Sequence, residues 1–184
     1  MKKEIIKELI STGLYLLGVL IVSLLLIKYV TQRTEVEGTS MDPTLKDGES
    51  IMIDKISYRF HDPERYDVIV LKPFADDPKT FYIKRVIALP GETIQILKDG
   101  SILINGEKIY EAYGKEIILP DRIGRAAEPI TMGEDEYFVM GDNRNNSGDS
   151  RRVEIGNIKR EDIVGRAWLR IWPLNRFGTV NKKK

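Results

Sequence analysis

The chain has 184 residues, enough for one domain with its own core plus an accessory segment. Its 29 basic and 28 acidic residues nearly cancel, which argues against a nucleic-acid binder, and the single histidine, His61, cannot build a multi-histidine zinc site. There is no cysteine, which excludes disulfides, thiolate nucleophiles and cysteine metal sites.

The first element lies near the N-terminus. Residues 9–27 are 19 consecutive positions without a charge. As a helix they span about 28 Å, close to the apolar thickness of a bilayer. Ser11, Thr12 and Ser23 do not interrupt the run, because a hydroxyl can bond back to its own helix. The run exceeds the apolar core of a cleavable signal peptide, and no alanine precedes Ala75 to form an Ala-x-Ala exit. It also lacks the polar stripe of a buried core helix. Residues 9–30 are therefore expected to form a transmembrane anchor. Lys2, Lys3 and Lys7 before it, against Lys28 and Arg33 after it, favour a cytoplasmic N-terminus over residues 1–8. No second run of this length follows, so residues 31–184 are expected on the extracytoplasmic face.

Beyond the anchor the pattern changes to short apolar runs broken by turn residues. Strands are predicted over 50–56, 67–72, 80–89, 93–98, 101–104, 137–140 and 163–172. Asp99-Gly100 and Asn105-Gly106 are hairpin turn pairs, giving a meander. Residues 111–135 read as loops, and 159–163 can hold one helical turn. No repeat is present, and residues 181–184 read as a solvated tail. The fold class is mainly β, an all-β domain behind one N-terminal helix. Strict alternation over 166–172 would put Arg166, Trp168, Arg170 and Trp172 on one face, suited either to a lipid headgroup layer or to packing under a loop.

Three segments carry more small and polar residues than packing requires. In the stretch 37–45, Gly38 and Pro43 bracket a turn that exposes the Ser40 hydroxyl and N–H. In 80–89, alternation sets Lys84 on one face with Tyr82 and Val86, while Ile83 and Arg85 face away. A lysine among apolar groups loses hydration of its charged form, so its pKa falls and the amine can act as a base. Taken singly, each has a plainer reading: Ser40 as a turn serine, Lys84 as a lysine snorkelling from a sheet edge. A serine nucleophile needs a base in hydrogen-bond reach. His61 sits in a polar, loop-like setting, and a serine–lysine pair is the known alternative to a histidine triad. The third segment, 141–151, has a rival reading. Asn143, Asn145, Ser147, Gly148 and Glu154 fall at positions 1, 3, 5, 6 and 12 of an EF-hand loop, but a strand precedes them where a helix should be.

Together, in this order behind an anchor, the three segments resemble bacterial type I signal peptidases. Tyr-Ile-Lys-Arg-Val-Ile and Gly-Asp-Asn-Arg-x-x-Ser-x-Asp-Ser-Arg carry the resemblance, and Arg65-Tyr-Asp-Val-Ile-Val matches a further motif more loosely. The resemblance runs over most of the chain. It implies a β-rich fold of coiled antiparallel sheets, with Ser40 as nucleophile and Lys84 as general base. It implies that Ser147 orients the lysine, that Asp142, Asp149 and Arg151 brace the loop, and that Met41, Leu45 and Tyr82 line small pockets favouring Ala-x-Ala. The Ser40 backbone N–H would be the oxyanion donor. Gly38 stands where some members carry a second, hydroxyl donor, and resembles the Gram-positive branch, as does the short 93–135 region. No metal or cofactor is implied. The implied partners are secretory preproteins, the lipid bilayer and a nearby translocon. Two rivals make other demands. A self-cleaving Ser-Lys regulator of the LexA type would need a DNA-binding domain and a scissile Ala-Gly or Cys-Gly, and neither dipeptide occurs. A tethered β adaptor would hydrolyse no peptide.

Overall fold

A computed structural model describes residues 2–74 and 80–180; the predicted tail at 181–184 lies outside the described residues. The charge-free run forms the centre of helix α1, Lys2–Tyr29. Its stretch Lys3–Leu25 is long and apolar enough to cross a membrane, and none of it is buried against the rest of the chain. An apolar stretch of this length that is left unburied fits a lipid environment.

Twelve strands follow among the described residues. The larger sheet contains β1 (Thr31–Glu35), β2 (Ser50–Asp54), β3 (Val68–Leu71) and β4 (Tyr82–Ala88). A second set, β5 (Thr93–Ile96), β6 (Ile102–Ile104), β7 (Glu107–Lys108) and β8 (Ile130–Thr131), forms the smaller sheet. The larger sheet is completed by β9 (Glu136–Met140), β10 (Ile158–Lys159), β11 (Ile163–Trp172) and β12 (Gly178–Thr179). Its order is β1-β2-β11-β3-β4-β9-β10, with β12 beside β11, and the smaller sheet runs β7-β6-β5-β8. The strand pairs are antiparallel. Asn105-Gly106 closes the β6–β7 hairpin as a two-residue turn with positive φ at both residues.

Three apolar clusters hold this together. One lies between the two sheets, around Ile87, Ile94, Ile104 and Phe138. A second surrounds Tyr58, Ile69, Val86 and Tyr137. The third, around Met41, Leu45, Ile51 and Val68, packs the segment after β1 onto the sheet. Val86 and Ile87, neighbours on β4, thus serve different clusters, as a period of two requires.

Several predicted boundaries move. β2 ends at Asp54 because its carboxylate accepts from the Ile56 and Ser57 N–H groups and starts the 3₁₀ turn Ser57–Arg59. The stretch read as loops at 111–135 holds 3₁₀ turns at Pro120–Arg122 and Gly124–Ala127, and β8. A 3₁₀ turn does occupy Arg160–Asp162. The supposed face of Arg166, Trp168, Arg170 and Trp172 is broken, because β11 has register shifts at Ala167/Leu169 and Arg170/Trp172. Arg170 turns inward to Glu49 and the Thr44 carbonyl, leaving Trp168 and Trp172 exposed.

Candidate active site

The nucleophile candidate sits on a tight turn after β1. Val36 N–H bonds the Glu49 carbonyl and Gly48 N–H bonds the Val36 carbonyl, tying the chain back to the start of β2. Gly38 has φ of +83°, a left-handed conformation in which serine would be strained. That gives a local reason for glycine rather than a hydroxyl-bearing residue at this position. The turn then winds through Asp42 N–H to Thr39 and Leu45 N–H to Met41. Met41 and Leu45 anchor it in the core, and Ser40 is left partly exposed.

Lys84 reaches this turn from β4. Its Nζ lies 2.8 Å from Ser40 Oγ and 2.9 Å from its neighbour's carbonyl, Ile83 O. The Tyr82 ring lies 4.9 Å away. Only 4% of Lys84 is exposed, and burial pulls its pKa down to about 8, against the upward pull of Asp149 and Asp142. An amine with that pKa is partly neutral near physiological pH and can accept the proton of a hydroxyl at this distance.

The loop after β9 forms the third wall. Its close approach depends on Gly141, where a Cβ would come within 2.4 Å of both the Ser40 carbonyl and Ser147 Oγ. Asn143 N–H donates to the Ser40 carbonyl at 3.0 Å, and Asn143 Nδ2 to the Thr39 carbonyl at 3.0 Å. Asn145 is likewise engaged with the Ile117 carbonyl and Leu119 N–H. Strand β9 precedes this loop, so the helix of an EF-hand is not there.

Asp149 and Arg151 form a two-pronged pair, Nε–Oδ1 and Nη2–Oδ2 both 2.8 Å, deep in the protein. Burial pushes the Asp149 carboxyl up, but the Arg151 guanidinium and the Gly141 N–H outweigh it and hold it below the usual carboxylate value. Asp142 pairs in the same way with Arg85, at 2.8 and 2.6 Å, and also accepts from the Thr44 hydroxyl. Ser147 Oγ is buried and makes no hydrogen bond among the described residues, although it lies close enough to Asp149 to help keep that carboxylate ionised.

These parts surround a cleft of about 560 Å³. One wall is the chain from Thr34 to Met41, the other Thr80 to Lys84, with Asn146 and Gly148 at the end. Strands β1 and β4 stand far apart in sheet order, so sharing a cleft requires the sheet to curl. Of the expected pocket residues, Met41 and Tyr82 line the cleft, whereas Leu45 lies beneath it in the core. His61 is not on the cleft; its ring packs edge-on against Tyr58.

Sequence reasoning missed the outer supports. Alternation sets Arg85 facing away from Lys84, but no local pattern points to its partner Asp142, 57 residues on. The Arg85 guanidinium also stacks on Tyr113, 3.8 Å from the ring centroid. Lys115 pairs with Asp42 at 2.7 Å. Arg170 and Arg176 converge on Glu49 and on the Pro43 and Thr44 carbonyls, clamping the far side of the Ser40 turn. The only local sign was an unusual density of arginine in 166–176.

Comparison with known proteins identifies the family. The family model described as signal peptidase, peptidase S26, matches residues 7–172. Signal peptidase I of Leptolyngbya laminosa is 39% identical over 175 residues, covering 91% of this chain and 82% of that protein. Signal peptidase I P of Bacillus subtilis subsp. natto is 39% identical over 151 residues, covering 77% of each. The crystal structure of a signal peptidase I from Enterococcus faecalis V583 aligns with a TM-score of 0.46 at 31% identity, over 58% of this chain and 97% of that one. With its mainly β fold behind one apolar helix and a family match over nearly its whole length, the chain belongs to the signal peptidase family, peptidase S26, and is a serine peptidase hydrolase.

Proposed function

We propose that this protein removes signal peptides from secretory preproteins with a Ser40–Lys84 dyad, cutting after small residues of the Ala-x-Ala type. The observation that carries the reading is the 2.8 Å contact between a buried amine of lowered pKa and a turn serine. The substrate lies extended in the cleft. On β4 the pairing with β9 begins at Arg85, so the edge of residues 82–84 is open to an added strand. Neutral Lys84 takes the Ser40 proton as Oγ attacks the carbonyl. The oxyanion forms beside the Ser40 N–H, which has no backbone partner among the described residues. Lys84, now charged, protonates the leaving amine, then activates the water that frees the acyl-enzyme. No step calls for a metal or cofactor.

Ser147 orients the Lys84 amine, and Asp142, Asp149 and Arg151 hold the loop that presents it. Met41 and Tyr82 bound the pocket for the small side chain, with Leu45 setting its floor from below. Residues 9–30 anchor the enzyme with residues 1–8 in the cytoplasm, so that 31–184 meet signal peptides close to the translocon. The test is cleavage of a preprotein by the full-length protein in detergent, wild type beside Ser40→Ala. The alanine variant is expected to fold and to lose essentially all turnover. Near-wild-type turnover by it overturns the dyad.

A further inference from the structure

A second cavity lies where α1 enters the sheet. It measures about 370 Å³ and is lined by Tyr29, Lys55, Tyr58, Arg59, Arg160, Ile163 and Val164. Three of these residues are cations and none is an acid. Among the described residues neither Lys55 nor Arg59 is part of an ion pair. Arg160 pairs with Asp62 at 3.0 Å, but that carboxylate is 80% exposed, so the contact is heavily screened. Arg160 is also steadied by the Tyr58 carbonyl. Asp54, beside Lys55, is occupied by the N–H groups of Ile56 and Ser57, and Glu161, beside Arg160, is an exposed carboxylate 3.9 Å from Lys159.

The location of this cavity follows from register. Tyr29 is the last residue of the apolar helix, and β1 begins two residues later. Thr31 is opposite Asp54, and Lys55 N–H donates to the Val30 carbonyl at 2.9 Å. Lys55 is therefore fixed at the foot of the helix. If α1 spans the bilayer, as the proposed function requires, the cavity opens at the headgroup layer. Tyrosine is enriched at that level, and Phe60, next to Arg59, is 81% exposed.

We propose that this pocket binds the phosphate of an anionic phospholipid headgroup, with Lys55, Arg59 and Arg160 as its cationic ligands. Strand β1, about 17 Å long at the usual rise per residue, runs from this pocket to Thr34 and Glu35 on the cleft wall. A headgroup held at Lys55 fixes the height of Ser40 above the membrane. It thereby fixes how far beyond its own membrane helix a signal peptide is cut.

The test uses the full-length protein reconstituted in phosphatidylcholine vesicles with and without phosphatidylglycerol. Lipid retained after mild detergent extraction is counted by native mass spectrometry. Wild type should retain phosphatidylglycerol in preference to phosphatidylcholine, and Lys55→Ala/Arg59→Ala should lose about tenfold of that retention. Lys98→Ala/Lys108→Ala removes the same charge from the smaller sheet and should lose none. Equal loss in both double variants overturns the proposal, as does indifference of wild type to headgroup charge. A free-phosphate site is distinguished by adding inorganic phosphate to protein in phosphatidylcholine alone. Thermal stabilisation of wild type but not of Lys55→Ala/Arg59→Ala, without preferential phosphatidylglycerol retention, overturns the lipid assignment. Hydrolysis of a preprotein, run in parallel, reports separately on the peptidase reading; its failure leaves the retention result intact.

Discussion

The two faces of β4 each bury one cation and treat it in opposite ways. On the cleft face, Lys84 meets a hydroxyl, a carbonyl and an aromatic ring, and among the described residues no carboxylate is hydrogen-bonded to it. On the other face, Arg85 meets the Asp142 carboxylate with two hydrogen bonds, the Tyr66 carbonyl and the Tyr113 ring. Exposure is nearly the same, 4% and 1%. Burial alone therefore does not decide what a cation can do. Side chain and partner decide together: Arg85 is a guanidinium that stays protonated and, paired with Asp142, ties strand to loop, whereas Lys84 is an amine hydrogen-bonded to neutral groups and is left able to lose its proton.

The largest test of this contrast is on activity. Lys84→Arg should lose at least roughly 10⁴-fold in kcat/KM, because a guanidinium stays protonated and cannot serve as a base. Wild-type kcat/KM should rise with pH through a midpoint near 8, the value to which burial pulls Lys84 in the free protein. An active arginine variant, or a rising limb that follows an ordinary lysine near 10.4, would sink the dyad. A limb displaced by substitution of His61 would do the same.

The next effect is on stability and falls on the other face. Asp142→Asn leaves Arg85 as a buried charge without its carboxylate. Breaking a buried pair in this way costs about 3–5 kcal/mol. Thermal unfolding of the full-length protein in detergent should show a midpoint lower by roughly 10 °C. A shift within error would mean that water or Tyr113 already satisfies Arg85 without Asp142.

Lys84 makes the opposite prediction, and its sign follows from linkage. Its folded pKa, about 8, lies below the roughly 10.4 of an unfolded lysine. Below pH 8 both states hold the proton, and the full burden of burying the charge falls on the folded state. Between about 8 and 10.4 the unfolded state holds more protons, so stability rises with pH. The total relief is roughly 3 kcal/mol. Lys84→Met removes the burden at every pH. Its stability advantage over wild type should be greatest below pH 8 and shrink by about that amount toward pH 10.4. A difference that stays flat across this range would place the Lys84 pKa near its ordinary value.

The same contrast marks how far the sequence could be read. Strand β11 was legible end to end because ten residues of mixed apolar and basic character admit no turn. Strand β1, Thr-Gln-Arg-Thr-Glu, was invisible because an edge strand held by backbone pairing to β2 needs no apolar alternation. The two-residue strands β7, β8, β10 and β12 are too short to show any period. At the site, alternation alone grouped Lys84 with Tyr82 and Val86. It could not bring Ser40 across 44 residues; family resemblance supplied that pairing. Nothing local announced Arg85 with Asp142, or Arg176 with Pro43, because those contacts exist only once the sheet has curled.

The smallest expected effect concerns Ser147, where the two faces meet. Gly141 lets the loop approach until Ser147 Oγ lies against the wall beside the Ser40 carbonyl. That hydroxyl is buried without a hydrogen bond among the described residues. Lys84 uses two bonds, to Ser40 and Ile83, and a lysine nitrogen can make three. A modest rotation of either side chain during the reaction would join the two groups and aim the amine at Ser40. Ser147→Ala should therefore lower kcat by about tenfold, less than the roughly 10²–10⁴ that a general base itself contributes. KM should hold, because Ser147 does not line the cleft. Ser147→Thr, which keeps the hydroxyl, should recover much of the rate. Thermal unfolding should change little, since Asp149 is held chiefly by its two bonds to Arg151 and only weakly by the Ser147 hydroxyl. A purely structural Ser147 would give the reverse: a lower unfolding midpoint, unchanged kcat, and no rescue by threonine.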